Sequence, residues 1–267
     1  MFHEIMDDRP EMPVFHPEKK DICKLVSYST FVGNEKKTLT QIIAYCARVS
    51  NPSNQEFTTM EKDEKLISYL IKNNHWSPFE MINICLEIET TRDIARQILR
   101  HRSFSFQEFS QRYADYSSLT KENEKKFIIR DARLQDTENR QNSVEITQYN
   151  DEYLIKKQWE LEQEKVAFLA EDVYKWAIEN GIAKEQARVV LPEGMTKSRL
   201  YMNGTLRSWI HYIQLRSGNG TQKEHKIVAI ECANVISTIF PMILDYVEIP
   251  TWYSNQQIEN NYIKIAK

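Results

Sequence analysis

The sequence predicts a helix-rich α+β fold in a single domain, with a small, mostly antiparallel sheet. Three observations lead there. Several stretches repeat apolar residues at helical spacing, and shorter ones alternate apolar with polar residues. No internal repeat or clean linker divides the 267 residues.

Residues 1–22 are polar, hold Pro10, Pro13 and Pro17, and read as an irregular arm. Leu25, Val26 and Tyr28 mark a strand over 22–31, closed by Gly33-Asn34. Leu39, Ile42, Ile43 and Cys46 predict a helix over 37–49; Leu66, Ile67, Leu70 and Ile71 predict a second over 62–74. The segment His75-Trp76-Ser77-Pro78-Phe79-Glu80 then turns the chain, and Pro78 disfavours helical backbone before it, so an extended Ser77 is expected. Ile82, Ile84, Leu86 and Ile88 alternate as a strand does. From about Thr91 a helix follows, with Ile94, Ala95, Ile98 and Leu99 inward and Arg92, Arg96, Gln97, Arg100 and His101 on its other face.

Residues 114–146 are polar and read as a long loop with one short strand at Phe127-Ile128-Ile129. A long helical region over 147–180 stops at Asn180-Gly181, and a short helix over 183–191 stops at Pro192. Residues 195–202 read as a strand and Asn203-Gly204 as the turn out of it. Leu206, Trp209, Ile210 and Ile213 place a helix over 205–215, whose opposite side carries Arg207, His211 and Gln214, with Arg216 at its end. After the turn at 217–220, an amphipathic helix runs over 221–239.

Composition narrows the function. Hydrophobic residues make up 41% and charged residues 27%, as in soluble globular chains. The net charge of −3 gives no basic field to draw in nucleic acid or an anionic membrane, so any anion site must be local. No apolar run approaches about 18 residues, and the acidic start has no signal-peptide pattern, so a cytoplasmic chain is expected. Cys23, Cys46, Cys85 and Cys232 are scattered, as reduced structural thiols would be. The histidines lack metal-ligand spacing, and no metal is expected. Neither G-x-G-x-x-G nor G-x-x-x-x-G-K-[ST] occurs, so a bound nucleotide would rest on arginines rather than on a glycine-rich phosphate cradle.

The densest chemistry lies in Arg100-His101-Arg102-Ser103-Phe104-Ser105-Phe106-Gln107-Glu108-Phe109-Ser110-Gln111-Arg112-Tyr113. Arg92, Arg96 and Arg100 stand four apart, an arrangement that either faces an anion or is a solvated face balanced by Glu87, Glu89, Asp93 and Glu108. Ser110 with His101 is either a nucleophile pair or an ordinary hydrogen-bonding serine. His75 suits a helix end as well as a reaction. Arg188 interrupts an apolar run, where it either snorkels or meets an anion. Taken together, the arginines of 92–112 and 188–216, flanked by amides and hydroxyls, suit a planar, phosphate-bearing ligand.

Arg100-His101-Arg102, seven residues and Ser110 resemble the R-H-R-x7-S signature of flavin-dependent thymidylate synthases, a family unrelated to the thymidylate synthase with a cysteine nucleophile. Ala47-Arg48-Val49-Ser50, the 75–80 segment, Ala95-Arg96-Gln97, the 108–113 run, the 187–192 run and Leu206-Arg207-Ser208 through Leu215-Arg216 follow in the family's order, covering roughly 35–245. The resemblance implies a homotetramer with active sites shared between subunits and FAD as cofactor. The substrates would be dUMP, 5,10-methylenetetrahydrofolate and NADPH, and the products dTMP, tetrahydrofolate and NADP+. Residue by residue, it implies flavin contacts from Ser77, Arg100, His101, Arg102 and Glu108, and from a second segment at Thr205, Leu206, Arg207 and His211. It implies dUMP contacts from Gln97, Arg100, Glu108, Phe109, Ser110, Gln111, Arg112, Arg188 and Arg216. His75 and Tyr113 match positions near the flavin and folate rings. The catalytic set would be Arg216, which neutralises charge on the uracil, with His75 and with Ser110, which orients the nucleotide and attacks nothing.

The sequence departs from the family at Thr205 and His211, where some members have asparagine, and at Gly220, where some have histidine. Two other readings use the same residues: a nucleotide- or RNA-binding module without chemistry, and the same fold with its activity lost.

Overall fold

A computed structural model describes residues 22–33, 36–55, 58–121, 124–146, 151–251 and 253. The expected arm, save residue 22, and Asn34 lie outside them. In chain order come β1 (Cys23–Tyr28), α1 (Leu39–Ala47), α2 (Met60–Lys72), β2 (Asn83–Thr91), α3 (Arg92–Ile98) and β3 (Phe104–Glu108). There follow β4 (Arg133–Gln135), β5 (Ser143–Glu145), α4 (Asp151–Glu179), α5 (Lys184–Ala187), β6 (Lys197–Thr205), α6 (Leu206–Ser217) and α7 (Lys223–Ser237). This is the expected helix-rich α+β architecture. Among the described residues no helix is long and apolar enough to cross a membrane.

The main sheet is antiparallel throughout, in the order β1-β2-β6-β3. Ile84, Leu86 and Ile88 of β2 and Leu200 and Met202 of β6 are buried in the core against α6 and α7. Trp209 of α6 is fully buried there, and its indole N–H donates to Ile84 O at 3.0 Å. The sheet's outer face carries a charged ladder in which Arg199 pairs with Glu87 and Glu89, and Tyr201 Oη donates to Glu87 at 2.9 Å. Tyr116, Phe127, Tyr174, Leu191 and Met195 form a second, smaller cluster against α4.

Local chemistry sets the helix ends that matter below. Thr205 caps α6, its hydroxyl accepting from Ser208 N at 3.2 Å. α2 ends in a Schellman motif: Asn74 takes φ 58°, and the N–H groups of His75 and Asn74 bond Leu70 O and Ile71 O. That motif aims the 75–80 segment back at the core.

Four expectations change. Ser77 is not extended but opens a 3-10 turn, Ser77–Met81, because Pro78 stands at the helix start, where its missing N–H forfeits nothing. Asn203-Gly204 is strand rather than turn, since β6 is flanked on both sides, with Gly204 opposite both Ile84 and Phe104. The Phe127 strand reduces to one bridge to Thr196, while the loop beyond it holds the small β4–β5 hairpin. Finally, 104–108, which the sequence presents only as part of the densest chemistry, is the outer strand β3, paired with β6.

Candidate active site

α6 is the spine of the site. From its first turns, Arg207 pairs with Glu80, and the His211 ring meets Trp76 edge-on at 4.7 Å between centroids. These contacts hold the Ser77–Met81 turn, and with it exposed His75 and Ser77, against one flank of the helix. On the other flank Ser208 Oγ donates to Ser103 O at 3.4 Å, and Arg216 Nε donates to His101 Nε2 at 2.9 Å. The helical spacing of 207 with 211, and of 208 with 216, explains how one helix gathers two segments that lie far apart in sequence.

The arginines divide into two sets. Arg48, Arg92, Arg96, Arg130, Arg133, Arg199 and Arg207 each pair with a carboxylate. Among the described residues Arg100, Arg102, Arg112, Arg188 and Arg216 have none, and neither does Arg140 on the small hairpin. Arg112 instead lies over the Tyr113 ring, 5.4 Å from its centroid, and Arg188 Nε donates to Glu185 O. In a chain with net negative charge, five of the six unbalanced guanidiniums among the described residues fall in the segments picked out by sequence. Beside Arg112, buried Gln111 leaves its Nε2 without a partner, an orphan donor of the kind a bound ligand satisfies.

Two sets of contacts can be traced among these groups. Arg100, His101 and Arg216 are neighbours at the end of α6. Lys184, one turn before Arg188, donates from Nζ to Tyr113 O at 3.3 Å and so links that short helix to the residue beside Arg112.

Electrostatics at the first group is lopsided. Burial, then the charges of Arg216 and Arg100, bring the His101 pKa down to about 4. Burial and Arg207 lower His211 as well, and burial lowers Arg216, with Tyr212 opposing and Arg100 reinforcing. His101 is therefore a neutral acceptor holding a charged arginine.

Several expected contact residues have other partners. Glu108 faces Arg92 at 3.6 Å and accepts from Ser198 Oγ at 2.8 Å. The Leu206 side chain is buried in the core, and the Thr205 hydroxyl is spent on its cap. Gln97 is held by His225 and Gln222. Ser110 has no histidine hydrogen-bonded to its hydroxyl among the described residues, so nothing there activates a nucleophile; Phe109 is fixed through its N–H to Arg199 O. Tyr212, Gln222, Glu224, His225 and Glu80 were not singled out from sequence. His225 had left a trace: it stands in register with Val228, Ala229, Cys232 and Ala233 on the buried face of α7.

A family model described as thymidylate synthase complementing protein matches residues 31–242. The chain belongs to the flavin-dependent thymidylate synthase family. A probable flavin-dependent thymidylate synthase of Paramecium bursaria Chlorella virus 1 is 44% identical over 84% of this chain and 99% of its own length. The flavin-dependent thymidylate synthase of Synechocystis is 46% identical over 76% of this chain and 86% of its own. A crystal structure of PolB, a UMP/dUMP methylase from Streptomyces cacaoi, shares the fold with TM-score 0.67 at 24% identity, over 84% of this chain and 93% of that one. Two of the segments that carry the family resemblance, 75–80 and 100–103, are gathered on α6. The donor set there fits a flavin dinucleotide: Arg100 and Arg102 are exposed cations without carboxylate partners, as a diphosphate needs.

Proposed function

We propose that this chain is a homotetrameric flavin-dependent thymidylate synthase. It converts dUMP to dTMP, takes the one-carbon unit from 5,10-methylenetetrahydrofolate and its reducing power from NADPH, and releases tetrahydrofolate and NADP+. The observation that carries this reading is the set of five guanidiniums without carboxylates in the family's own segments. FAD, when bound, supplies the hydride chemistry. Arg100, His101 and Arg102, with Ser77, Arg207 and His211 across α6, are the residues that would hold it.

Arg112 and Arg188 offer paired N–H forks to the nucleotide phosphate, and the orphan Gln111 amide lies next to them. Ser110, with no base beside it, orients the nucleotide. Attack by uracil C5 drives negative charge onto N3 and the flanking carbonyls. Arg216, aimed by neutral His101, neutralises that charge without giving up a proton. No cysteine takes part.

The homotetramer rests on two features. The family resemblance implies an active site shared between copies, with arginines from neighbouring chains closing on one nucleotide. α4 also leaves Leu154, Leu161 and Phe168 exposed at seven-residue intervals, a stripe suited to helix packing between copies. The test is direct. Purified protein should show a flavin absorbance band and form dTMP from dUMP only with the folate and NADPH. Protein that takes up no FAD on reconstitution overturns the reading. Nucleotide binding without turnover would instead favour a non-catalytic module.

A further inference from the structure

Behind the His101–Arg216 pair runs a directional hydrogen-bond relay. It begins at Glu224, where Arg133 Nη2 donates to Oε1 and Gln222 Nε2 donates to Oε2 at 2.9 Å. Burial opposes ionisation of Glu224, but the hydrogen bond and charge of Arg133 outweigh it, and its pKa is lowered. An ionised carboxylate only accepts, so it dictates the sense of every bond beyond it. With its amide nitrogen on Glu224, Gln222 turns its oxygen to Gln97 Nε2 at 2.7 Å. Gln97 Oε1 then faces His225 Nδ1 at 3.1 Å and must accept, so His225 carries its proton on Nδ1. The bare Nε2 of His225 accepts from Tyr212 Oη at 3.1 Å. His225 and Tyr212 are both buried, and the Tyr212 ring stands edge-on to His101 at 4.9 Å.

We propose that the relay anchored at Glu224 and closed at its far end by the Nδ1–H of His225 fixes which way round Gln97 presents its amide, with His225 as the positioning residue that holds Gln97 Oε1, and so makes the site prefer uracil to cytosine. The inference rests on the reading that Gln97 contacts dUMP. After its two relay bonds Gln97 keeps one N–H and one lone pair. Uracil offers a donor at N3 beside an acceptor at O4, whereas cytosine offers an acceptor at N3 beside a donor at N4. An amide rotated half a turn exchanges its own donor and acceptor, and would match cytosine where it had matched uracil. Two donors or two acceptors left facing each other are what make such a site discriminate. A histidine buried only for packing would satisfy its own nitrogens without controlling Gln97.

The test uses the FAD-loaded holoenzyme and compares wild type with His225→Leu, His225→Asn and Tyr212→Phe. Asparagine keeps a donor near the position of Nδ1. In His225→Leu, KM for dUMP should rise about tenfold with kcat within about twofold, and the preference for binding dUMP over dCMP should fall about tenfold. His225→Asn should recover most of both, and Tyr212→Phe should fall between. Nitrogen-15 histidine spectra of the wild type should show His225 protonated at Nδ1 and bare at Nε2 near neutral pH. The opposite tautomer overturns the proposal, even if His225→Leu fails to fold. So does a folded His225→Leu with unchanged discrimination, or a His225→Asn no better than leucine. A wild type that binds FAD but not dUMP removes the reading of the site, and this inference falls with it; dUMP binding that is insensitive to every variant removes the inference alone.

Discussion

Arg216 Nε donates to His101 Nε2 across 2.9 Å, so the guanidinium at the C-terminal end of α6 is aimed by an imidazole from the loop after α3. The bond needs a bare nitrogen, and the low His101 pKa, about 4, keeps it bare at neutral pH. Protonation would set two cations against each other at hydrogen-bond distance.

Stability should therefore drain on mild acidification. Burial first, then Arg216, His101 and Arg100, bring the pKa of His225 to about 3. An unfolded histidine titrates near about 6.5, so as pH falls the unfolded chain takes up protons before the folded one. Stability complete above about 6.5 is lost progressively toward pH 4 and below, on the order of a few kcal/mol. Thermal midpoints measured across that range should drop, with a shallower slope in His225→Asn. Parallel slopes in the two proteins would contradict it.

Arg216→Lys should behave much like Arg216→Ala. Lysine keeps the charge, but its single ammonium cannot bond His101 and also present a planar fork to the uracil. Each variant should lose about 100-fold or more in kcat, the scale of one charge-stabilising donor, while retaining its flavin spectrum. A lysine variant near wild-type turnover would show that charge alone suffices.

Gly204 leaves room on β6 for the Phe104 ring. A Cβ there would lie 2.4 Å from Phe104 Cδ1, and the Phe104 ring is buried against Trp209 at 4.9 Å between centroids. Gly204→Ala should destabilise by about 1–3 kcal/mol, as over-packing does. Urea unfolding followed by circular dichroism measures it, and a midpoint shift near zero would mean that the ring moves aside freely.

Arg48, inside the Ala47–Ser50 motif, is structural in this chain. It pairs with Asp63, whose side chain is fully buried, at 2.5 Å, and Thr58 Oγ1 donates to the same oxygen at 2.9 Å. Asp63→Ala strands a nearly buried cation and should cost about 3–5 kcal/mol. Denaturation midpoints decide it; an effect below about 1 kcal/mol would place Arg48 among ordinary surface pairs.

Much of this was legible in the sequence, and the exceptions have physical causes. Periodicity located α1, α2, α6 and α7 because each buries one face. It passed over β3, where Phe104 and Phe106 look like packing residues until β6 is there to pair with them. The Asn203-Gly204 dipeptide mimics a turn locally, and only pairing on both sides makes it strand. The motif arginines could be found by spacing, but which of them lack carboxylates could not, because partners such as Glu80 for Arg207 and Glu193 for Arg96 arrive from distant elements. The relay through Gln97, Gln222 and His225 joins side chains over 120 residues apart and has no local signature.

The proposed joint action of Arg188 and Arg216, from neighbouring copies, on one nucleotide can be tested by mixing. Arg188→Ala and Arg216→Ala should each be nearly inactive alone. Dissociated and reassembled together, they should form hybrid sites, about a quarter of which combine an intact Arg188 from one copy with an intact Arg216 from another. Activity should recover to about that fraction, tracked by dTMP formation. Were both arginines to serve a site within their own chain, every site in the mixture would lack one of them. No recovery despite verified subunit exchange would then exclude the shared arrangement.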